Sequence, residues 1–148
     1  MNREIILKQI EILINDYRDN KIGILANVSA LLYLEMKDVN WVGFYFVSDN
    51  NLILGPFQGK PACMKIEYGK GVCGKSYEKD EVMNVSNVHL FPGHIACDTA
   101  SNSEVVIPMH KDGKVYGVLD IDSPEFSNFT SDDILILQEV VKILESIL

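Results

Sequence analysis

The chain has 148 residues, of which 47% are hydrophobic and 23% are charged, as expected for one compact domain over residues 1–148. Its formal net charge of −8 argues against binding to nucleic acid or to an anionic membrane surface, because both depend on Lys and Arg side chains. No apolar run approaches the roughly 18 residues that span a bilayer, and charges interrupt the N-terminal segment, so we expect a helix there and not a secretory leader. We therefore expect a cytoplasmic protein whose cysteines are thiols or form transient disulfides.

In the first part of the chain, the spacing of apolar residues predicts two helices and a β-hairpin. Apolar residues recur at helical intervals in residues 1–16 and again in residues 22–36. Residues 40–47 alternate like a strand, a polar turn occupies residues 48–51, and residues 52–56 can pair back as the second strand.

The middle third has weaker patterns. Residues 62–66 and 82–85 are predicted as strands, with a short helix between them at residues 75–79. Residues 87–102 show no period and are predicted as a long loop, a type of segment that often carries functional groups.

The last third predicts a second hairpin and a final helix. The hairpin strands are residues 104–110 and 115–122, and the helix begins near Thr130 or Ser131. Consecutive strands joined by tight turns predict a mainly antiparallel sheet of six strands, with the long N- and C-terminal helices packed on one face. The predicted fold class is therefore α+β.

Three cysteines, Cys63, Cys73 and Cys97, lie in the middle third of the chain. A cysteine is most often a small buried apolar residue, but Cys97 lies deep in the long loop, where a thiol can be exposed and reactive. Structural zinc is disfavoured because the cysteines form no close ligand pair. Acyl transfer of the papain type would need an activating histidine, and although His89 and His94 lie in the same loop, no further motif supports it.

Acidic residues form a second candidate site. Asp120 and Asp122 are two residues apart, so a strand would project both side chains from one face, and Glu104 lies on the partner strand of the hairpin. Together they could bind an ammonium group, or one of them could hold a proton at neutral pH because its neighbours are charged. The alternative is that the strand ends at Leu119 and that both aspartates belong to a turn.

Trp41 and Tyr45 are four residues apart on the predicted first strand and therefore share a face. The usual reason for such a pair is core packing. Both rings also keep a polar edge that suits a ligand pocket, where a methyl group can lie against the indole.

Taken together, six segments of the chain resemble the free methionine-(R)-sulfoxide reductases, a family of enzymes built from one GAF domain. The resemblance covers nearly the whole chain and is carried by residues 40–45, 54–63, 69–74, 91–98, 103–108 and 119–123. Its specific part is the pattern of cysteines, since a GAF domain alone hosts many functions. The N-terminal region is short for the family, which affects the first helix and any dimer contact rather than the pocket.

The resemblance implies that the cysteines carry redox chemistry. Cys97 matches the nucleophile, Cys63 the principal resolving cysteine, and Cys73 a third cysteine with a less defined part in recycling. Attack on a sulfoxide leaves a sulfenic acid, which a second thiol converts to a disulfide, and a thioredoxin-like dithiol restores the enzyme. We expect neither a metal nor an organic cofactor.

The resemblance also assigns the pocket. Glu104, Asp120 and Asp122 match acidic residues that line it, and Trp41 and Tyr45 match its aromatic wall. The implied substrate is free methionine (R)-sulfoxide, whose ammonium group would offset part of the negative charge, and the R preference comes from the resemblance alone. The alternative function is a stand-alone GAF module that senses a ligand or an oxidant without turnover, and a homodimer is left open.

Overall fold

The computed structural model describes residues 1–94 and 100–148. These residues form four α-helices and six β-strands, with one 3₁₀ turn at Val88–Leu90. The helices are α1 (Arg3–Tyr17), α2 (Lys21–Glu35), α3 (Gly71–Lys79) and α4 (Ser131–Glu145). The strands are β1 (Trp41–Ser48), β2 (Asn51–Gly59), β3 (Lys65–Glu67), β4 (Met83–Val85), β5 (Ser103–Lys111) and β6 (Lys114–Ser123).

The six strands pair into an antiparallel sheet in the order β3-β2-β1-β6-β5-β4. Two tight hairpins, β1–β2 and β5–β6, organise it. Asp49 and Asn50 in the first turn and Asp112 and Gly113 in the second have positive φ, as two-residue hairpin loops require. The predicted α+β fold with a six-stranded, mainly antiparallel sheet is confirmed.

Helices α1, α2 and α4 cover one face of this sheet. Their apolar residues, among them Ile10, Val28 and Leu137, pack with strand residues into one hydrophobic cluster. Each such fully buried side chain stabilises the fold by roughly 1.5–3 kcal/mol. Helix α4 begins where predicted, because Thr130 and Asp133 form a reciprocal capping box. Within the described residues, every helix falls short of the length and apolarity needed to cross a membrane.

Successive side chains of each strand point to opposite faces of the sheet, and the two faces belong to different clusters. Phe44 of β1 and Leu119 of β6 pack toward the long helices. Tyr45 and Val118, one residue along each strand, belong to a second cluster on the opposite face. The short helix α3 packs on this second face and contributes Cys73 to the cluster.

Three predicted boundaries near the middle of the chain are wrong. The strand expected at residues 62–66 begins later, at Lys65–Glu67, and β2 extends past residue 56 to Gly59. Residues 60–64 are irregular because their carbonyl groups bind donors outside a regular ladder, including side chains of β1. The short helix begins at Gly71 instead of residue 75.

Candidate active site

Two neighbouring strands carry three acidic side chains to the second face of the sheet. Strand β6 continues to Ser123, so Asp120 and Asp122 are strand residues, and the alternative in which both belong to a turn is wrong. Glu104 on β5 pairs directly with Asp122 across the sheet. All three side chains line one cavity.

Trp41 and Tyr45 of β1 form the neighbouring wall of this cavity. Their ring centroids lie 5.9 Å apart in a stacked arrangement. Gly43 between them makes the stacking possible, because a Cβ at that position would lie 2.6 Å from the indole of Trp41. The register pairs Trp41 with Asp122 and Gly43 with Asp120, so the aromatic wall directly adjoins the acidic residues.

The polar edges of both rings hold residues 60–64 against the cavity. The indole Nε1 of Trp41 donates a hydrogen bond to the Lys60 carbonyl at 3.1 Å, and the Tyr45 hydroxyl donates to the Cys63 carbonyl at 2.9 Å. Burial, together with the negative charge of Asp120, raises the pKa of Tyr45, so the phenol remains a donor. Both rings therefore line the pocket and also position residues 60–64.

Helix α3 places Cys73 beside the acidic residues. Its thiol is free and buried, and Sγ lies 3.8 Å from Oε2 of Glu104, to which it donates a hydrogen bond. Burial and the charges of Asp120 and Glu104 raise the pKa of this thiol well above its ordinary value. The Sγ atom and one oxygen from each of these two carboxyl groups lie within 4.8 Å of one another, a donor set that could hold a metal ion.

Glu104 and Asp120 are buried carboxyl groups, with 8% and 6% of their surfaces exposed. Burial, followed by the charges of Asp120 and Asp122, raises the pKa of Glu104 well above its ordinary value. Burial also raises the pKa of Asp120, although the neighbouring Glu104 and Cys73 side chains act in the opposite direction. Oδ1 of Asp120 has no hydrogen-bond partner in the described part of the chain. A buried acceptor without a donor suits a cationic ligand.

Not every predicted residue can be placed in this site. Cys97 lies outside the described residues. His94 lines the cavity, and burial lowers its pKa. Sequence reasoning missed Lys60, Lys70 and Ser101 of the lining. Both lysines lie in segments that carry the family resemblance, residues 54–63 and 69–74, and each adjoins a glycine.

Comparison with known proteins identifies the family. Residues 21–148 match the GAF domain family. The free methionine-R-sulfoxide reductase of Escherichia coli (strain K12) is 52% identical over 84% of this chain and 75% of its own length. The solved fRMsr of Staphylococcus aureus in its reduced form has a TM-score of 0.94 at 49% identity, covering 99% of this chain and 94% of its own. The free methionine-R-sulfoxide reductase from Neisseria meningitidis, solved in complex with its substrate, has a TM-score of 0.93 at 41% identity, with coverages of 98% and 87%. The chain therefore belongs to the GAF domain family and, within it, to the free methionine-R-sulfoxide reductases.

Proposed function

We propose that this protein reduces free methionine (R)-sulfoxide to methionine in the cytoplasm, with residues 1–148 acting as one catalytic domain. Its E. coli and N. meningitidis relatives carry this activity in their names, and the second was solved with its substrate. The observation that carries the proposal is the pocket, in which three carboxyl groups adjoin two stacked rings and a buried oxygen of Asp120 has no donor among the described residues.

A free amino acid matches the charge of this pocket. Its ammonium group would donate hydrogen bonds to the carboxylates and offset the negative charge concentrated at Glu104, Asp120 and Asp122. The S-methyl group would lie against Trp41 and Tyr45. Methionine sulfoxide inside a polypeptide has an uncharged amide in place of the ammonium group, so we expect it to be a poor substrate.

The reaction needs a thiolate at the sulfoxide sulfur and an acid at its oxygen. The raised pKa values of Glu104 and Asp120 favour one carboxyl group that keeps its proton at neutral pH and hydrogen-bonds the oxygen. Cys97 attacks the sulfur and takes over the oxygen. The sulfoxide is reduced by two electrons to the thioether, and the cysteine is oxidised by two electrons to a sulfenic acid.

Cys63 would resolve this intermediate. Its thiol displaces the sulfenic hydroxyl group as water and forms a disulfide with Cys97. A thioredoxin-like dithiol then reduces the disulfide by exchange and is itself oxidised, so each turnover consumes one dithiol. The hydrogen bond from Tyr45 to the Cys63 carbonyl supports this role, since it keeps residues 60–64 beside the pocket.

The test compares free and N-acetylated methionine sulfoxide as substrates, with a thioredoxin system as the reductant. Wild type should reduce the N-acetylated compound poorly, because that compound lacks the positive charge. In Glu104→Gln, Asp120→Asn and Asp122→Asn, loss of an ammonium partner should raise KM, and loss of the sulfoxide partner should lower kcat. A charge-assisted hydrogen bond contributes about 1.5–3 kcal/mol, or roughly ten- to a hundred-fold. Asp112→Asn, in the exposed turn between β5 and β6, is the matched control.

Two outcomes would contradict the proposal in different ways. Equal rates on both substrates, together with near-full activity of all three pocket variants, would rule out this pocket. Binding of methionine sulfoxide without any consumption of reductant would instead identify a ligand-sensing GAF module.

A further inference from the structure

Cys73 is a buried nucleophilic residue to which the proposed reaction gives no defined step. Helix α3 holds its free thiol 3.8 Å from Oε2 of Glu104. With Asp120 it forms a cluster in which the sulfur and one oxygen from each carboxyl group all lie within 4.8 Å of one another. All three side chains are buried.

These separations suit a tetrahedral ion of the zinc type. Zinc–sulfur bonds are about 2.3 Å long and zinc–oxygen bonds about 2.0–2.2 Å. At a tetrahedral angle, a sulfur and an oxygen ligand of the same ion therefore lie roughly 3.5 Å apart. The observed 3.8 Å between Cys73 and Glu104 differs little from that spacing. One thiolate and two carboxylates would supply three ligands and leave the fourth position to a water molecule from the cavity.

The second observation is a carboxylate oxygen of Asp120 that has no partner in residues 1–94 and 100–148. Oδ1 is buried and accepts no hydrogen bond from the described residues. The ion pairs recorded among those residues involve neither Asp120 nor Glu104. Buried acceptors normally have a donor or coordinate a metal, so this cluster attracts cations in general. An ammonium group is one such cation and a metal ion is another.

We propose that Cys73, Glu104 and Asp120 bind a thiophilic divalent cation of the zinc class, which excludes the substrate from the pocket. The competition rests on the proposed function, because the same two carboxyl groups there contact the substrate. Binding is a ligand exchange without oxidation or reduction, in which the thiol and any protonated carboxyl group release their protons to solvent. The cation is an inhibitor rather than a cofactor, and a chelator reverses its effect.

Cobalt(II) reports on such a site, because a cobalt–thiolate bond gives a charge-transfer absorption band that oxygen and nitrogen ligands do not give. The test protein is the full chain with Cys63→Ser and Cys97→Ser, which retains Cys73 as its one cysteine. Titration with cobalt(II) should produce the band, and zinc should remove it by displacement. The absence of a band would overturn the site.

Further substitutions in this double variant, called the parent below, identify the individual ligands. Adding Cys73→Ser should abolish the band, and Asp120→Asn should weaken cobalt binding by more than about tenfold. Asp112→Asn, in the exposed turn, should leave the affinity unchanged. Equal affinity in Asp120→Asn and the parent would overturn the carboxylate ligation. Because the band in the parent already requires a thiolate, the test holds even if Cys73→Ser fails to fold.

Competition has a separate readout. Free methionine sulfoxide should raise the apparent dissociation constant of cobalt(II) in proportion to its concentration. Cobalt binding that saturating methionine sulfoxide leaves unchanged, in a protein whose wild-type form turns this substrate over, would overturn the competition. Turnover by wild type with a chelator and no added metal tests the proposed function alone, so the two failures are distinguishable.

Discussion

Replacing Glu104 by glutamine should stabilise the protein near neutral pH while impairing the proposed reaction. Glutamine has nearly the same shape but no charge, so it avoids the unfavourable burial of a carboxylate beside Asp120 and Asp122. In the wild type, the folded protein avoids this penalty only while the Glu104 carboxyl group holds a proton.

The sign of the pH dependence follows from proton binding. Folding raises the pKa of Glu104, so between its unfolded pKa of about 4.3 and its folded pKa the folded protein holds more protons than the unfolded chain. The stabilisation is complete below the unfolded pKa and is lost as the pH rises through the folded pKa. One retained proton changes the free energy of unfolding by at most about 1.4 kcal/mol per pH unit, or about 3 kcal/mol between pH 5 and pH 7.

Urea unfolding at pH 5, 6 and 7 under reducing conditions measures this slope, with the fluorescence of Trp41, the one tryptophan of the chain, as the probe. The free energy of unfolding should fall with pH in wild type and fall less in Glu104→Gln, so that the difference widens toward pH 7. In Glu35→Gln, at the exposed end of α2, the free energy of unfolding should depend on pH as it does in wild type. The same pH dependence in Glu104→Gln as in wild type would mean that Glu104 holds no extra proton in the folded protein, which would contradict the prediction.

Three further variants test individual groups. Cys97→Ser should abolish methionine release even with dithiothreitol as the reductant, because the nucleophile is lost. Cys63→Ser should still release about one methionine per active site in a single turnover, since attack needs only Cys97, but should lose multiple turnover with thioredoxin. Tyr45→Phe removes the hydrogen bond to the Cys63 carbonyl and should slow disulfide formation more than methionine release in rapid-quench measurements. A net contribution of about 0.5–1.5 kcal/mol corresponds to a roughly two- to tenfold effect.

Each of these variants has a contrary outcome. Near-normal turnover by Cys97→Ser would assign the nucleophile to another residue. A dominant Cys63–Cys73 or Cys73–Cys97 bridge in oxidised wild type, detected by mass spectrometry, would give the resolving role to Cys73 or divide it. Equal slowing of both steps in Tyr45→Phe would assign the hydroxyl to substrate binding instead of to the positioning of Cys63.

The hairpins and the spacing of the acidic residues could be predicted because their signals are local. Asp49 and Asn50 readily adopt the positive φ that a two-residue turn requires, whatever the rest of the chain does. The two-residue spacing of Asp120 and Asp122 likewise puts both on one face once the strand is recognised.

The remaining features depend on contacts between distant segments. Strand β3 begins three residues later than predicted, because carbonyl groups at Lys60 and Cys63 bind side chains of β1 that no local pattern links to them. The contact between Cys73 and Glu104 joins helix α3 to β5 across 31 residues of sequence. Cysteine spacing alone could not place that thiol among carboxyl groups.

Substitutions on the two faces of the sheet should impair this protein in different ways. Truncating Phe44 or Leu119 to alanine opens a cavity under the helices, destabilises the fold by about 2–5 kcal/mol, and lowers the amount of folded protein in a cell. The molecules that fold keep an intact pocket and a normal turnover number. Asp120 follows Leu119 on β6 and lines the pocket. Replacing it by the isosteric asparagine should leave the amount of folded protein normal and slow turnover per molecule. A mutational scan of residues 119–122 should therefore alternate, with loss of abundance at Leu119 and Ile121 and loss of specific activity at Asp120 and Asp122.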